Sequence, residues 1–450
     1  MKDFTRRDAL MLGAGAVSGA GLLGASRPAR AAIPAANVTA PHQPIEGGAT
    51  LRVIRPTKFV DPDETVWNEN TQKFVKATGV QVRVDFVGWE DIRAQVAVAA
   101  RTGAGPDVVV GWANDPHLYT EKIIDMSELA EYLGKKYGGW GPLPSIYGKK
   151  FGTNQWIALP MGCGGGATVW RKSWVNEAGY SELPLDLDKF LDLSRKLQKN
   201  GHPTGMALGN SQGDGAGTAS WLLWSRGAAQ VDEKNQVTIN SKATIEALKY
   251  GTELYKTWIP GTLSWLDPDN NKAFLSEQIS VTPNGVSIYF VAKTNGAKGD
   301  AKMAAIAQDI QHSRAPGFWQ GRAPESANTL NAMVFKHSKY PNAAKEYLRF
   351  MMEADQYDQW LTQCLGYWAH PLLAFDQSDC WKQDPKILPY RDAQKMTFWD
   401  GYQGPISAAA AQATAEYVLV QMCAAVCSGQ ATPEDGAKEA ERRLKRIYKT

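Results

Sequence analysis

The chain has 450 residues, with 49 lysines and arginines against 46 aspartates and glutamates, and a formal net charge of +3. That near balance, with no clustered positive excess, argues against a nucleic acid or an anionic membrane surface as partner. The length is too great for one hydrophobic core and predicts two domains.

The first 31 residues have the layout of an export signal. Arg6-Arg7 precede the apolar, glycine-rich run LMLGAGAVSGAGLLGA, and Ala29-Arg30-Ala31 ends in a small-x-small cleavage site. The adjacent arginines predict twin-arginine export, a route for proteins exported already folded. The predicted mature protein begins near Ala32 and lies in the periplasm. Residues 1–31 hold five basic and two acidic residues, so the remainder carries 44 of each and is formally neutral. Residues 32–49, rich in proline and alanine, are read as a flexible leader. Beyond the signal, no run of about 20 apolar residues is expected to span a membrane.

From Thr50 the pattern alternates. ATLRVIRP reads as a strand, DETVWNENTQKFVKATG as a helix stopped at Gly79, and VQVRVDFVGW as a strand. EDIRAQVAVAARTGAG reads as a helix and PDVVVGW as a buried strand. This β-α-β-α-β order predicts a parallel sheet with helices on its faces, and ligands of such sheets sit beyond the carboxyl ends of the strands. Thr57, Lys58, Trp89, Glu90, Trp112, Asn114 and Asp115 fall at those ends. Further on, ATVW and HPTGMALG read as strands, and TASWLLWSRGAA reads as a helix with Trp221 and Trp224 one turn apart. A helix, strand, turn and helix follow over DNNKAFLSEQISVTPNGVSIYFVAK. TLNAMVFKHS is a strand, and the C-terminus is helical, ending in a helix capped at Thr432 with acids in its first turn.

Gly162, Gly164 and Ala167 match the dinucleotide spacing G-x-G-x-x-A. Their surroundings do not: Pro160 precedes the run, and the β-prone ATVW follows where a helix should open. A loop near a ligand accounts for the glycines by close backbone approach and free φ angles. No cofactor is expected. The five cysteines lack a C-x-x-C pair and a histidine at ligand spacing, so no metal or redox site is expected, and at most one buried disulfide. Nothing pairs two carboxylates for hydrolysis; Glu90-Asp91 suits a helix start. Asp267–Asn271 departs from a calcium loop at positions six and twelve and reads as a turn.

Sixteen tryptophans are the compositional excess. Indoles stack on the apolar faces of pyranose rings, while amides and carboxylates take the hydroxyls. Candidate ligand residues are therefore Thr57, Lys58, Trp89, Trp112, Asn114, Asp115 and Gly164, with Trp221, Trp224, Asn284, Tyr367 and Trp368 from later segments. Trp156, Trp170, Trp174, Trp258 and Trp360 are assigned to the core.

Several segments occur in an order that resembles the family 1 extracellular solute-binding proteins of ABC importers, the maltose-binding-protein-like group. They are AARTGAGPDVVVG, WIALPMGCGGGATVWRKSWVNEAGY, NKAFLSEQISVTPNGVSIY, VFKHSKYPNAAKEYLRFMMEADQYDQW and ATPEDGAKEAERRLKRI. The chain departs from the family pattern at Trp170-Arg171-Lys172, Glu277 and Ser280-Val281. The resemblance implies an α/β, two-lobed periplasmic binding protein fold (type II), each lobe a mixed sheet flanked by helices, with hinge crossings between lobes. It places residues 50–165 and 303–350 in the first lobe, and 166–302 and 351–450 in the second. The implied function is capture of a sugar, oligosaccharide or polyol and delivery to the transmembrane subunits of an ABC importer, as a monomer and without covalent chemistry. The alternatives are another polar solute, either a phosphodiester held by Lys58 or Arg314 or a polyamine held by cleft carboxylates, and an exported cofactor-containing enzyme.

Overall fold

A computed structural model describes residues 32–318, 324–325, 327–393, 395 and 398–449. The twin-arginine segment lies outside the described residues. β1 (Thr50–Pro56), α1 (Asp61–Thr78), β2 (Gln81–Val87), α2 (Trp89–Thr102) and β3 (Val108–Gly111) realise the expected alternation. β1 runs parallel to both β2 and β3. α1 carries Asp61, Asp63 and Glu64 in its first turn and stops at Gly79, whose φ of 78° suits glycine. β3 is buried along its whole length, as the uninterrupted valines predict.

Short helices α3 (Asp115–Leu118), α4 (Ser127–Lys136) and α5 (Pro142–Gly148) lead to β4 (Leu159–Gly165). The glycine run is thus a strand. β5 (Ala167–Arg171), α6 (Lys172–Glu177), α7 (Leu187–Lys199), α8 (Asp214–Trp224), α9 (Lys242–Tyr255) and α10 (Asp269–Leu275) follow. Then come β6 (Val281–Asn284), α11 (Ser287–Ala297), α12 (Ala301–Asp309), β7 (Ile310–Ser313), β8 (Ala327–Val334), α13 (Pro341–Met352) and α14 (Ala354–Gln363). The chain closes with α15 (Cys380–Gln383), α16 (Leu388–Ala393), α17 (Ala408–Ala415), α18 (Val418–Cys427) and α19 (Pro433–Tyr448). The Thr432 hydroxyl caps α19 by accepting from the Asp435 N–H at 3.1 Å.

Two sheets organise these elements. The first has the order β2-β1-β3-β8-β4, with β8 antiparallel to β3 and β4. The second has the antiparallel order β6-β5-β7. The chain passes from the first sheet to the second between β4 and β5, at Gly165 and Gly166, whose φ values of 83° and 79° are accessible to glycine at little cost. It returns between β7 and β8. One apolar core surrounds the first sheet and includes Val53, Trp67, Phe74, Val109, Leu330 and Tyr347. The other gathers Trp170, Leu193, Trp221, Leu248, Cys423 and Leu444.

Several expectations are corrected. The leader is docked: Ile33, Val38 and Ile45 pack on the first core, and Glu46 accepts the Asn342 and Ala343 N–H groups at 2.9 and 3.0 Å, capping α13. β7 pairs with β5, so the return to the first sheet comes after residue 313 and not at 303. α13 and α14 pack on α1 through Tyr347 and Trp360, so the first sheet's layer continues past residue 350. Residues 202–208 form no strand: Thr204 makes an isolated bridge with Trp258, while the Pro203 carbonyl accepts from Ser280 N–H and the Gly205 N–H donates to the Val281 carbonyl at the start of β6; Pro203 itself has no N–H to offer a ladder. Ala408–Cys427 is apolar and long enough by composition to cross a membrane, against expectation. In the fold it is broken at Tyr417, with φ of 54°, and both halves pack against α19.

Candidate ligand-binding cleft

Two adjoining compartments open where the sheets meet. The larger encloses about 1040 Å³ out to its mouth and takes its wall from both sheets: Gly164 and Asn328 from the first, Thr168 and Asn284 from the second. The smaller encloses about 510 Å³. Trp112, Gly164, Asp214, Asn284 and Asn328 line both, so the two form one continuous cleft.

The strand ends of the first sheet supply an aromatic wall. Trp89 and Trp112 meet edge-on with centroids 4.6 Å apart, Trp89 and Trp368 lie 6.1 Å apart, and Tyr367 and Trp368 lie 5.0 Å apart. Phe59 completes the group against Trp89 and Tyr367. The Trp89 indole donates to the Thr57 carbonyl at 2.9 Å, and the Trp112 indole to the Trp89 carbonyl at 3.2 Å, which fixes both ring planes. Gly162 and Gly164 make this wall possible. A Cβ on Gly164 would lie 2.9 Å from Trp368 Cζ3, and one on Gly162 would lie 2.9 Å from Trp368 Cβ. The Trp368 indole therefore lies flat on β4, held by paired backbone bonds of 2.8 Å between Cys163 and Ala369. With β8 on its other edge, β4 cannot serve as a phosphate loop, and it leads into a strand, which removes the dinucleotide reading.

A polar network closes the floor. Arg93 donates to Asp115 Oδ1 at 2.7 Å, Asn114 Oδ1 at 2.6 Å and Gln212 Oε1 at 2.9 Å. Asn114 and Tyr147 donate to Asp400 Oδ2 at 2.8 and 3.2 Å. Burial raises the Asp400 carboxyl above its ordinary range, against the pull of the Tyr147 hydroxyl. On the opposite side, Asp214 N–H donates to Asp267 Oδ1 at 2.8 Å. Burial and the Asp267 charge hold the Asp214 carboxyl well above the usual carboxylate range, with the Asn270 amide pulling the other way. Glu325 is pushed up to about 7 by burial, although Arg314 binds it at 2.8 Å.

Of the residues singled out in the sequence, Trp112, Asn114, Gly164, Trp221 and Asn284 line the larger compartment. Trp89, Tyr367 and Trp368 line the smaller. Four fall elsewhere. Thr57 lends only its carbonyl to Trp89, and Lys58 faces solvent beside Asp61 at 3.0 Å. Asp115 is buried behind the wall by Arg93. Trp224, one turn beyond Trp221, faces away and packs on Phe398 at 5.3 Å. Phe59, Tyr147, Gln212, Asp214, Glu325, Asn328 and Asp400 also line or floor the cleft and are not among the sequence candidates, and Asp267, which the sequence gives only as part of a turn, joins them. Phe59 adjoins Lys58 at a strand end and was within reach of the same rule. Asp214 opens the helix that carries Trp221. Asp400 comes from an irregular segment with no local signal.

The family model for bacterial extracellular solute-binding proteins matches residues 70–389. The chain belongs to the bacterial extracellular solute-binding protein family. The fold agrees. The GacH receptor of Streptomyces glaucescens, solved free and with acarbose, superposes with a TM-score of 0.71 at 17% identity, covering 89% of this chain and 99% of the receptor. Maltose-bound MalE3 of T. maritima gives 0.72 at 18% identity, over 89% and 100% of the two chains. A ribitol-bound ABC transporter solute-binding protein of Agrobacterium radiobacter gives 0.73 at 14% identity, over 89% and 99%. No curated protein sequence matches the chain. In this binding protein all five cysteines are buried thiols, Cys163 lying 3.6 Å from the Thr329 hydroxyl.

Proposed function

We propose that the protein captures a carbohydrate or polyol in the cleft between its two sheets and hands it to the membrane subunits of an ABC importer. The observation that carries this reading is the pairing of surfaces in one cavity. Flat indole and phenol faces form one wall, and amides and carboxylates, among them Asn284, Asn328, Asp214 and Asp400, face it. Such a cavity offers apolar contact to a sugar ring and acceptors and donors to its hydroxyls. Proteins of like fold support it, since several were solved with a carbohydrate or polyol bound, among them acarbose, maltose, ribitol, tagatose, laminaribiose and mannitol. The two cations that a phosphodiester would need are already engaged, Lys58 by Asp61 and Arg314 by Glu325.

The two sheets with their helices act as lobes, and Gly165-Gly166 in the first crossing supplies the hinge. The protein works as a periplasmic monomer, exported by the twin-arginine route and cleaved near Ala31. A thermal-shift screen of the mature chain over sugars, oligosaccharides and polyols tests the function. A ligand at 100 times its Kd stabilises by about 2.7 kcal/mol. A melting temperature unmoved by every solute would sink the transport reading.

A further inference from the structure

The charge of the cleft is one-sided. No lysine, arginine or histidine among the described residues lines either compartment, whereas Asp214, Asp267, Glu325 and Asp400 do. The nearby guanidinium groups are engaged: Arg314 on Glu325, and Arg93 on Asp115, Asn114 and Gln212. Asp400 has the Asn114 and Tyr147 donors. That leaves Asp214 and Asp267, which have only neutral donors: the Ser211 hydroxyl and the Gly213 and Asp214 N–H groups for Asp267, and the Asn270 amide for Asp214. Both aspartates line the smaller compartment together with Gly213, with the Asp214 N–H on Asp267 Oδ1 at 2.8 Å; a Cβ on Gly213 would come within 2.6 Å of Asp267 Oδ2. The Asp214 Oδ2 is buried and has no hydrogen-bond partner.

The same compartment is walled by Phe59, Trp89, Trp112, Tyr367 and Trp368. A neutral hydroxyl can satisfy one carboxyl oxygen but brings no positive charge to two acids crowded together in a partly dry cavity, where they cannot both ionise without repulsion. An ammonium group supplies several donors, cancels the repulsion and is attracted by the indole faces, tryptophan being the strongest of the aromatic rings for a cation. Resting on the carbohydrate reading above, we infer that the solute carries a protonated amine: an amino sugar or amino-polyol whose ammonium sits between Asp214 and Asp267 against the tryptophan wall.

Matched pairs test this by calorimetry and thermal shift on the mature chain: glucosamine with glucose, galactosamine with galactose, and glucamine with sorbitol. The amine of at least one pair should bind ten or more times tighter than its neutral partner. Asp214→Asn should erase that preference while the unliganded melting temperature stays level or rises, because a repulsion has been removed. Asp267→Asn gives an independent second reading of the same loss. Neutral partners that bind as tightly as the amines, or an Asp214→Asn protein that keeps the preference, would overturn the inference and leave the carbohydrate reading in place. No response to either member of any pair would overturn the inference, and the carbohydrate reading falls with it only if the wider screen of sugars, oligosaccharides and polyols is silent too.

Discussion

Gly164→Ala adds one methyl group to the wall between cleft and core. The new Cβ would lie 2.9 Å from Trp368 Cζ3, 3.1 Å from Cε3 and 3.2 Å from the Tyr367 carbonyl oxygen. Carbon atoms in contact prefer about 3.5–4.0 Å, so something must move by roughly half an ångström or more. The indole has little room to retreat. It is buried, with Trp89 at 6.1 Å and Tyr367 at 5.0 Å, and the next residue is tied to β4 by two backbone bonds of 2.8 Å. Overpacking of this kind costs about 1–3 kcal/mol. For a chain of this size that corresponds to a melting temperature lowered by roughly 1–3 °C. Displacing Trp368 also tilts the aromatic wall, so affinity for the solute should fall by about tenfold, roughly 1.4 kcal/mol. Differential scanning fluorimetry and calorimetry measure the two effects. Gly47→Ala, where an added Cβ meets nothing within 4 Å, is the control and should behave as native. A Gly164→Ala protein that melts and binds like the native one would refute the claim that this glycine exists to seat Trp368.

Three further outcomes follow from the same geometry. Asn284→Ala removes an amide that lines both compartments and donates to Asn271 Oδ1 at 2.6 Å; titration calorimetry should show affinity down about tenfold, with the unliganded melting temperature within about 2 °C of native. His117 and His312 are both pushed down to about 4 by burial, so the unfolded chain takes up protons first as the pH falls. The stability they contribute is full above about pH 6.5 and is lost toward pH 4, and His312→Phe should flatten that fall in denaturant midpoint; an unchanged slope contradicts it. A thiol reagent should find no reactive cysteine in the native protein and five after unfolding, because all five are buried thiols; fewer than five would reveal a disulfide.

The parallel opening and the aromatic rim were legible because local rules sufficed. Periodicity gave β1 to β3, and the carboxyl-end rule led to Trp89 and Trp112. Tyr367 and Trp368 were found by their aromatic type beside a turn. Trp224 was misplaced since helical spacing cannot say which of two faces a residue one turn on will bury; Phe398, far along the chain, decides it. By sequence alone the glycine run reads as a loop, because strand propensity penalises glycine, yet the indole of Trp368 replaces the missing side chains on β4. Asp214 and Asp267 were hidden for a different reason. They are 53 residues apart and become neighbours only through the packing of the loops before α8 and α10.

The most direct test of the binding account is titration calorimetry of the mature protein with the strongest solute from the screen, run beside Trp112→Phe and Asn284→Ala. The account predicts one site per chain for a sugar, amino sugar or polyol, with both variants weaker by about tenfold and still folded. A solute bound with full affinity by both variants would place the site elsewhere and contradict it.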